Sequence, residues 1–141
     1  MKRAALYVRV STQEQKNSGL SVDSQIDALE KYCKEQGYTV VGIYNDAGIS
    51  ARKKYTKRPA LLQLLEDCKK HEIDIILFTR LDRWFRAVAG YYEVQNVLDA
   101  CKVPWRAIWE DYETETSQGI FKVNIMLSCL LYTSDAADDM Q

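Results

Sequence analysis

Four short apolar runs alternate along this chain with stretches whose apolar residues recur at helical spacing, and that alternation restricts the fold more than any single residue does. Residues 3–10, 39–44, 73–79 and 103–109 read as strands. Between them lie three sets of apolar positions: Val22, Ile26, Leu29 and Cys33; Leu61, Leu62, Leu65 and Cys68; and a longer series through Trp84, Val88, Tyr91, Gln95, Leu98 and Cys101. Each set falls on one face of a helix. Ser21 suits the cap of the first helix, Gly37 its end, and Pro59 the opening turn of the second. The third strand is apolar enough to be covered on both faces, whereas Pro104 puts the fourth nearer an edge. Strict alternation of strand and helix predicts an α/β fold: a three-layer α/β/α domain with a mainly parallel sheet, right-handed crossovers and helices on both faces. Sheets of this kind bind ligands beyond the carboxyl ends of their strands. Ser11, the Asp46 loop, the Arg83 cluster and the Glu110-Asp111 pair all fall there.

At 141 residues the chain fits one domain, without repeats or low-complexity linkers. No stretch has transmembrane length, and Met1-Lys2-Arg3 leads straight into a strand rather than a signal peptide. We therefore expect a cytoplasmic protein with no membrane partner. Cys33, Cys68, Cys101 and Cys129 are widely spaced, and at least three sit on apolar helix faces, so reduced core thiols are expected rather than disulfides or zinc ligands. The segment 129–141 (Cys-Leu-Leu-Tyr-Thr-Ser-Asp-Ala-Ala-Asp-Asp-Met-Gln) breaks with what precedes it. A helical apolar pattern through Ile120, Phe121, Ile125 and Leu127 should continue with a charged outer face, and it does not. Its first six residues can be encoded by TGT CTC TTA TAC ACA TCT, which resembles a transposase mosaic-end sequencing adapter. We expect residues 1–128 to form the domain, truncated at its carboxyl end, and 129–141 to be an unrelated tail from adapter read-through, the other reading being a genuine divergent terminus. The net charge of −1 owes its sign to the tail acids Asp135, Asp138 and Asp139, so it does not exclude DNA as a partner.

The chemistry concentrates in two clusters. Tyr7-Val8-Arg9-Val10-Ser11-Thr12 brings a serine to a strand end with an arginine two positions before it, on the same face. Leu81-Asp82-Arg83-Trp84-Phe85-Arg86 follows another strand, and its two arginines, three apart, share one side of a helix near an anion-favouring N-terminus. Ser11 alone would read as a turn residue. Beside Arg9, Arg83 and Arg86 it reads as a nucleophile facing a phosphodiester, because planar, permanently charged guanidinium groups match phosphate oxygens and stabilise added negative charge. Asp82 serves equally as a helix N-cap or as an acid that orients an arginine or protonates a leaving alkoxide. Gln15 and Gln25 are surface amides or holders of the nucleophile and phosphate. The basic run Arg52-Lys53-Lys54-Tyr55-Thr56-Lys57-Arg58 borders the same strand ends, and Arg52, Lys53, Lys54 and Lys57 suit contact with the DNA backbone. His71 stands alone at a charged helix end, which leaves no histidine triad, and no P-loop, Gly-x-Gly-x-x-Gly or zinc spacing occurs.

These residues resemble the serine recombinases, the resolvase/invertase family, and in particular its large integrases and mobile-element recombinases. The segment Tyr7 to Thr12, Tyr44-Asn45-Asp46-Ala47-Gly48-Ile49-Ser50, Arg58-Pro59-Ala60-Leu61, Leu81-Asp82-Arg83 through Arg86, and Ser117-Gln118-Gly119 match its motifs in order. The resemblance spans residues 2–128 and implies a resolvase-like fold. It implies that Ser11 attacks the scissile phosphate of double-stranded DNA, releasing a 3′ hydroxyl and forming a 5′-phosphoserine link. Four subunits then exchange and rejoin strands without metal, ATP or other cofactor, and the full-length protein works as a homodimer and tetramer. By the same resemblance Arg9, Arg83 and Arg86 hold the phosphate, Arg58 is a further active-site arginine, Asp82 is the motif's acid, and Gln15 and Gln25 are supporting amides. Family members continue into a long arginine-bearing helix and a DNA-binding region that this sequence lacks, so the chain alone is expected to recombine little or not at all. Trp84 and Phe85 are bulkier than the family's usual residues at those positions.

Two other readings stay open on sequence. In one, Asp46, Asp82 and Asp111 hold Mg²⁺ in a receiver-type phosphotransfer domain, whose activity would need the metal and survive loss of Ser11. In the other, the chain is a folded, non-catalytic fragment.

Overall fold

In the computed structural model, residues 2–9, 21–46, 58–85 and 88–139 are described, with backbone only for Asp82, Arg83, Val88, Ala89 and residues 130–139. The elements run β1 (Arg3–Val8), α1 (Val22–Gln36), β2 (Thr39–Asn45), α2 (Pro59–Lys69), β3 (Ile75–Phe78), α3 (Leu81–Trp84), α4 (Val88–Cys101), β4 (Trp105–Ala107), β5 (Tyr112–Glu113) and α5 (Ser117–Asp139). The sheet order is β2-β1-β3-β4-β5. Strands β1 to β4 pair in parallel, and β5 runs antiparallel to β4.

The central strands are apolar throughout because both of their faces are covered. On one face Ala5, Tyr7, Ile76 and Phe78 pack with Leu61, Leu64, Leu65, Tyr91, Val94 and Leu98 of α2 and α4, and with Val123 and Leu127 of α5. On the other, Ala4, Leu6, Val8, Ile75 and Leu77 meet Leu29 and Cys33 of α1. This is the three-layer, mainly parallel architecture expected from the alternation. Helix α1 starts where Ser21 accepts a hydrogen bond from the Ser24 N–H (3.1 Å) and stops at Gly37, whose φ of 76° lies in the left-handed region.

Four expectations need correction. The series from Trp84 to Cys101 is not one helix: α3 ends at Trp84, Phe85 is extended, and α4 starts at Val88. Asp82 is not the N-cap of α3; it lies inside that helix, and the Leu81 N–H is met instead by the Glu110 carboxylate (2.6 Å). The fourth strand shrinks to three residues, and β5 takes the edge beyond it. Among the residues of α5 with described side chains, the buried positions are Gly119, Val123 and Leu127, while Ile120, Phe121 and Ile125 are exposed. Helix α5 runs without a break past residue 128 to Asp139.

The start of α5 explains its glycine. The buried Glu113 carboxylate accepts from the N–H groups of Glu115 and Thr116 and from the Thr116 hydroxyl, whose oxygen in turn accepts from the Gly119 N–H (3.0 Å). A Cβ on residue 119 would collide with that carboxylate. Among the described residues no helix is long and apolar enough to cross a membrane.

Candidate active site

Strand β1 ends at Val8, and buried polar groups gather immediately beyond it. Arg9 is 1% exposed, and Gln25, Asp46, Arg58 and Thr79 are also buried. Arg9, Asp46 and Thr79 each follow the carboxyl end of a parallel strand, Arg58 immediately precedes α2, and α1 brings in Gln25 from its first turn. The Gln25 amide donates to the Arg9 carbonyl (3.3 Å) and so fixes the backbone two residues before Ser11.

A second network turns on Tyr7. Its hydroxyl donates to Asp46 Oδ2 (2.7 Å) and accepts from Arg58 Nη2 (2.6 Å) and Nε (3.1 Å). Asp46 also accepts from the N–H groups of Ala60 (2.9 Å) and Leu61 (3.1 Å), so it caps α2 from a distance. It can do so because Pro59 opens that helix and Arg58 offers it no side-chain cap. Burial, opposed by the Arg58 cation and reinforced by Asp46, pushes the Tyr7 phenol well above its ordinary value. The phenol therefore stays protonated, able to donate to Asp46 while receiving from Arg58.

The Arg58 guanidinium is fully buried, with its carbon 4.7 Å from the Phe85 ring centre and 5.2 Å from that of Tyr7. Its Nη1 has no hydrogen-bond partner among the described residues, nor does the Thr79 hydroxyl at the end of β3. A buried polar atom without a partner costs about 1–3 kcal/mol, more when charged. Glu110, by holding the Leu81 N–H, pins the turn that carries Asp82 and Arg83 to the loop after β4.

Arg9, Arg58 and Gln25 are thus brought together at the end of β1. Arg83 and Asp82 belong to α3, with only their backbone described. Ser11, Gln15, Arg86, Arg52, Lys53, Lys54 and Lys57 lie outside the described residues. Sequence reasoning missed Tyr7 as the hinge of the network, Phe85 as a wall and Glu110 as a latch. The sequence places Asp46 at the strand ends, in a family motif and as a candidate Mg²⁺ ligand, but not as the cap of α2. Asp46 follows β2 at one edge of the sheet, and Asp111 precedes β5 at the other, paired with Lys122 (2.8 Å). Those two carboxylates therefore do not come together as the Mg²⁺-binding cluster that the receiver reading requires.

An open, mostly parallel sheet with buried arginines beyond its strand ends defines an α/β domain suited to an anionic substrate. The chain belongs to the resolvase family, the serine recombinases: the family model "Resolvase, N terminal domain" matches residues 4–136. It is 33% identical over 117 residues to a Bacillus subtilis (strain 168) protein provisionally named a DNA recombinase, covering 83% of this chain and 22% of that protein. Among solved structures it resembles the N-terminal catalytic domain of TP901-1 integrase, with 32% identity, a TM-score of 0.75 and 99% of both chains covered. It also resembles the catalytic domain of ISC1926 TnpA, an IS607-like serine recombinase, with 26% identity and a TM-score of 0.66 over 89% of this chain and 80% of that one.

Proposed function

We propose that this domain cuts and rejoins double-stranded DNA through Ser11. The Ser11 oxygen attacks the scissile phosphorus, the bond to the 3′ oxygen breaks, and that oxygen leaves as a hydroxyl after taking up a proton. The product is a 5′-phosphoserine ester. After strand exchange, a 3′ hydroxyl attacks this ester and restores both the DNA and the serine, so no metal or ATP is consumed. Arg9, Arg58, Arg83 and Arg86 neutralise the phosphate and the charge added in the transition state. Asp82, Gln15 and Gln25 orient these groups, and Arg52, Lys53, Lys54 and Lys57 track the DNA backbone.

The observation that carries this reading is the buried Arg58, two of whose nitrogens are held by Tyr7 while the third lacks a partner among the described residues. Strand exchange is then the reaction of a homodimer and tetramer of the full-length protein. The test is to trap cut DNA with an intact recombinase carrying this domain and look for protein joined to 5′ ends. Ser11→Ala should abolish the adduct and EDTA should not. An adduct that survives Ser11→Ala, or one lost with EDTA, would contradict the mechanism.

A further inference from the structure

Phe85 stands where the chain leaves helical geometry between α3 and α4, with φ −149° and ψ 143°, and it is 7% exposed. Its N–H closes α3 on the Leu81 carbonyl (2.9 Å). The ring is confined on several sides. Trp84 meets it edge-on at 5.5 Å and Tyr91 at 6.1 Å, and a Cβ on residue 90, where glycine stands, would come within 3.2 Å of it. Trp84 is itself fixed by stacking on Phe78 at 5.0 Å and by an edge contact with Tyr7 at 5.3 Å. A ring held this firmly 4.7 Å from a guanidinium carbon restricts where that guanidinium can lie.

Arg58 has no carboxylate partner among the described residues, and its two held nitrogens contact a neutral phenol. Beyond the Tyr7 hydroxyl, which joins it to Asp46, the guanidinium is met by two aromatic rings, whose quadrupoles attract a desolvated cation. Phe85 also lies between Arg83 and Arg86 in sequence. The segment that carries those two arginines therefore supplies a wall for the third.

We propose that Phe85 is a positioning residue for Arg58: with Tyr7 it holds the guanidinium so that Nη1 is offered to a DNA phosphate oxygen. This rests on the reading of Arg58 as a phosphate-binding group. The coupling has a consequence for specificity of geometry, because a displacement of the α3–α4 junction would misplace Arg58 together with Arg83 and Arg86.

The experiment follows the Arg58 Nε–H signal by NMR in the whole 141-residue chain, alone and titrated with a short DNA duplex at low ionic strength. In the native chain the signal should stand apart from those of solvated arginines and shift further as duplex is added. Phe85→Leu should move it towards the solvated arginines and raise the duplex midpoint about fivefold, the loss expected for one cation–π contact. Phe85→Tyr, which keeps the ring, should restore both. If leucine unfolds the chain, Phe85→Met, similar in volume and without a ring, replaces it with the same expectations. An unchanged signal and midpoint in a folded Phe85→Leu or Phe85→Met chain would overturn the positioning role. A native Arg58 signal that stands apart yet ignores the duplex would instead overturn the phosphate reading beneath it.

Discussion

Strand β1 has an arginine near each end, and the two live under opposite rules. At the amino end Arg3 is exposed and paired with a carboxylate: Asp74 accepts from its Nε (3.0 Å), its Nη2 (3.1 Å) and its backbone N–H (2.8 Å), and the His71 carbonyl takes a further Nη2 bond (2.9 Å). At the carboxyl end Arg58 is buried, touches a phenol and two rings, and has no carboxylate partner among the described residues. An exposed ion pair contributes about 0–1 kcal/mol and serves as a fastening. A buried cation is costly to desolvate. The nearby carboxylate, Asp46, reaches Arg58 only through the Tyr7 hydroxyl and leaves Nη1 without a partner among the described residues, which the proposed function reads as a place for an incoming anion. On the proposed function, the difference separates a structural end of the sheet from a chemical one.

The comparison is sharpest at Arg58 itself. Arg58→Ala should slow DNA cleavage by an intact recombinase about 100- to 1000-fold, as loss of one fixed transition-state donor does. Arg58→Lys should not rescue it, since an ammonium cannot occupy Tyr7 and a phosphate with separate planar donors. Cleavage rates measured in single-turnover assays check this, and a rate within a few-fold of wild type would erase the contrast. Asp46→Ala comes next. It removes the cap of α2 and the acceptor of the Tyr7 hydroxyl together, at a cost of about 2–3 kcal/mol in denaturant unfolding, and it should also slow cleavage because Tyr7 no longer holds Arg58 in place.

The smallest effect belongs to the other end. Arg3→Ala should cost less than about 1 kcal/mol and leave cleavage unchanged. Its hydrogen bonds lower the Asp74 pKa from 3.8 to about 2. A carboxyl whose folded value is depressed stabilises the fold above its unfolded value, so this contribution is complete above 3.8 and disappears as pH falls through about 2. Melting curves across that window should fall more steeply for the native chain than for Arg3→Ala. Equal slopes would show that Asp74 takes its low value from elsewhere.

Much of the scaffold was legible because local periodicity encodes it. Ser21, Gly37 and Pro59 mark helix ends through their own backbone chemistry, and the doubly covered strands announce themselves by lacking alternation. What escaped was decided over distance. Strand β5 has two residues and exists through pairing with Arg106 and Ala107, too short for any period. The break at Phe85 is hidden because Trp84 and Phe85 are both buried, so the apolar series reads straight through a change of backbone direction. In α5 the larger residues Ile120, Phe121 and Ile125 suggested the inner face, whereas the close approach of Glu113 requires a glycine there and turns the helix accordingly. At the site, motif order singled out Arg9, Arg58 and Gln25. Tyr7 and Asp46 are 39 positions apart and carry no local sign that one hydroxyl joins them to Arg58.

The most direct test of the account is to digest the covalent protein–DNA adduct and locate the modified peptide by mass spectrometry. The account predicts a nucleotide phosphate on Ser11, within the segment that follows the buried Arg9. A phosphate carried by any other serine, threonine or tyrosine would contradict it.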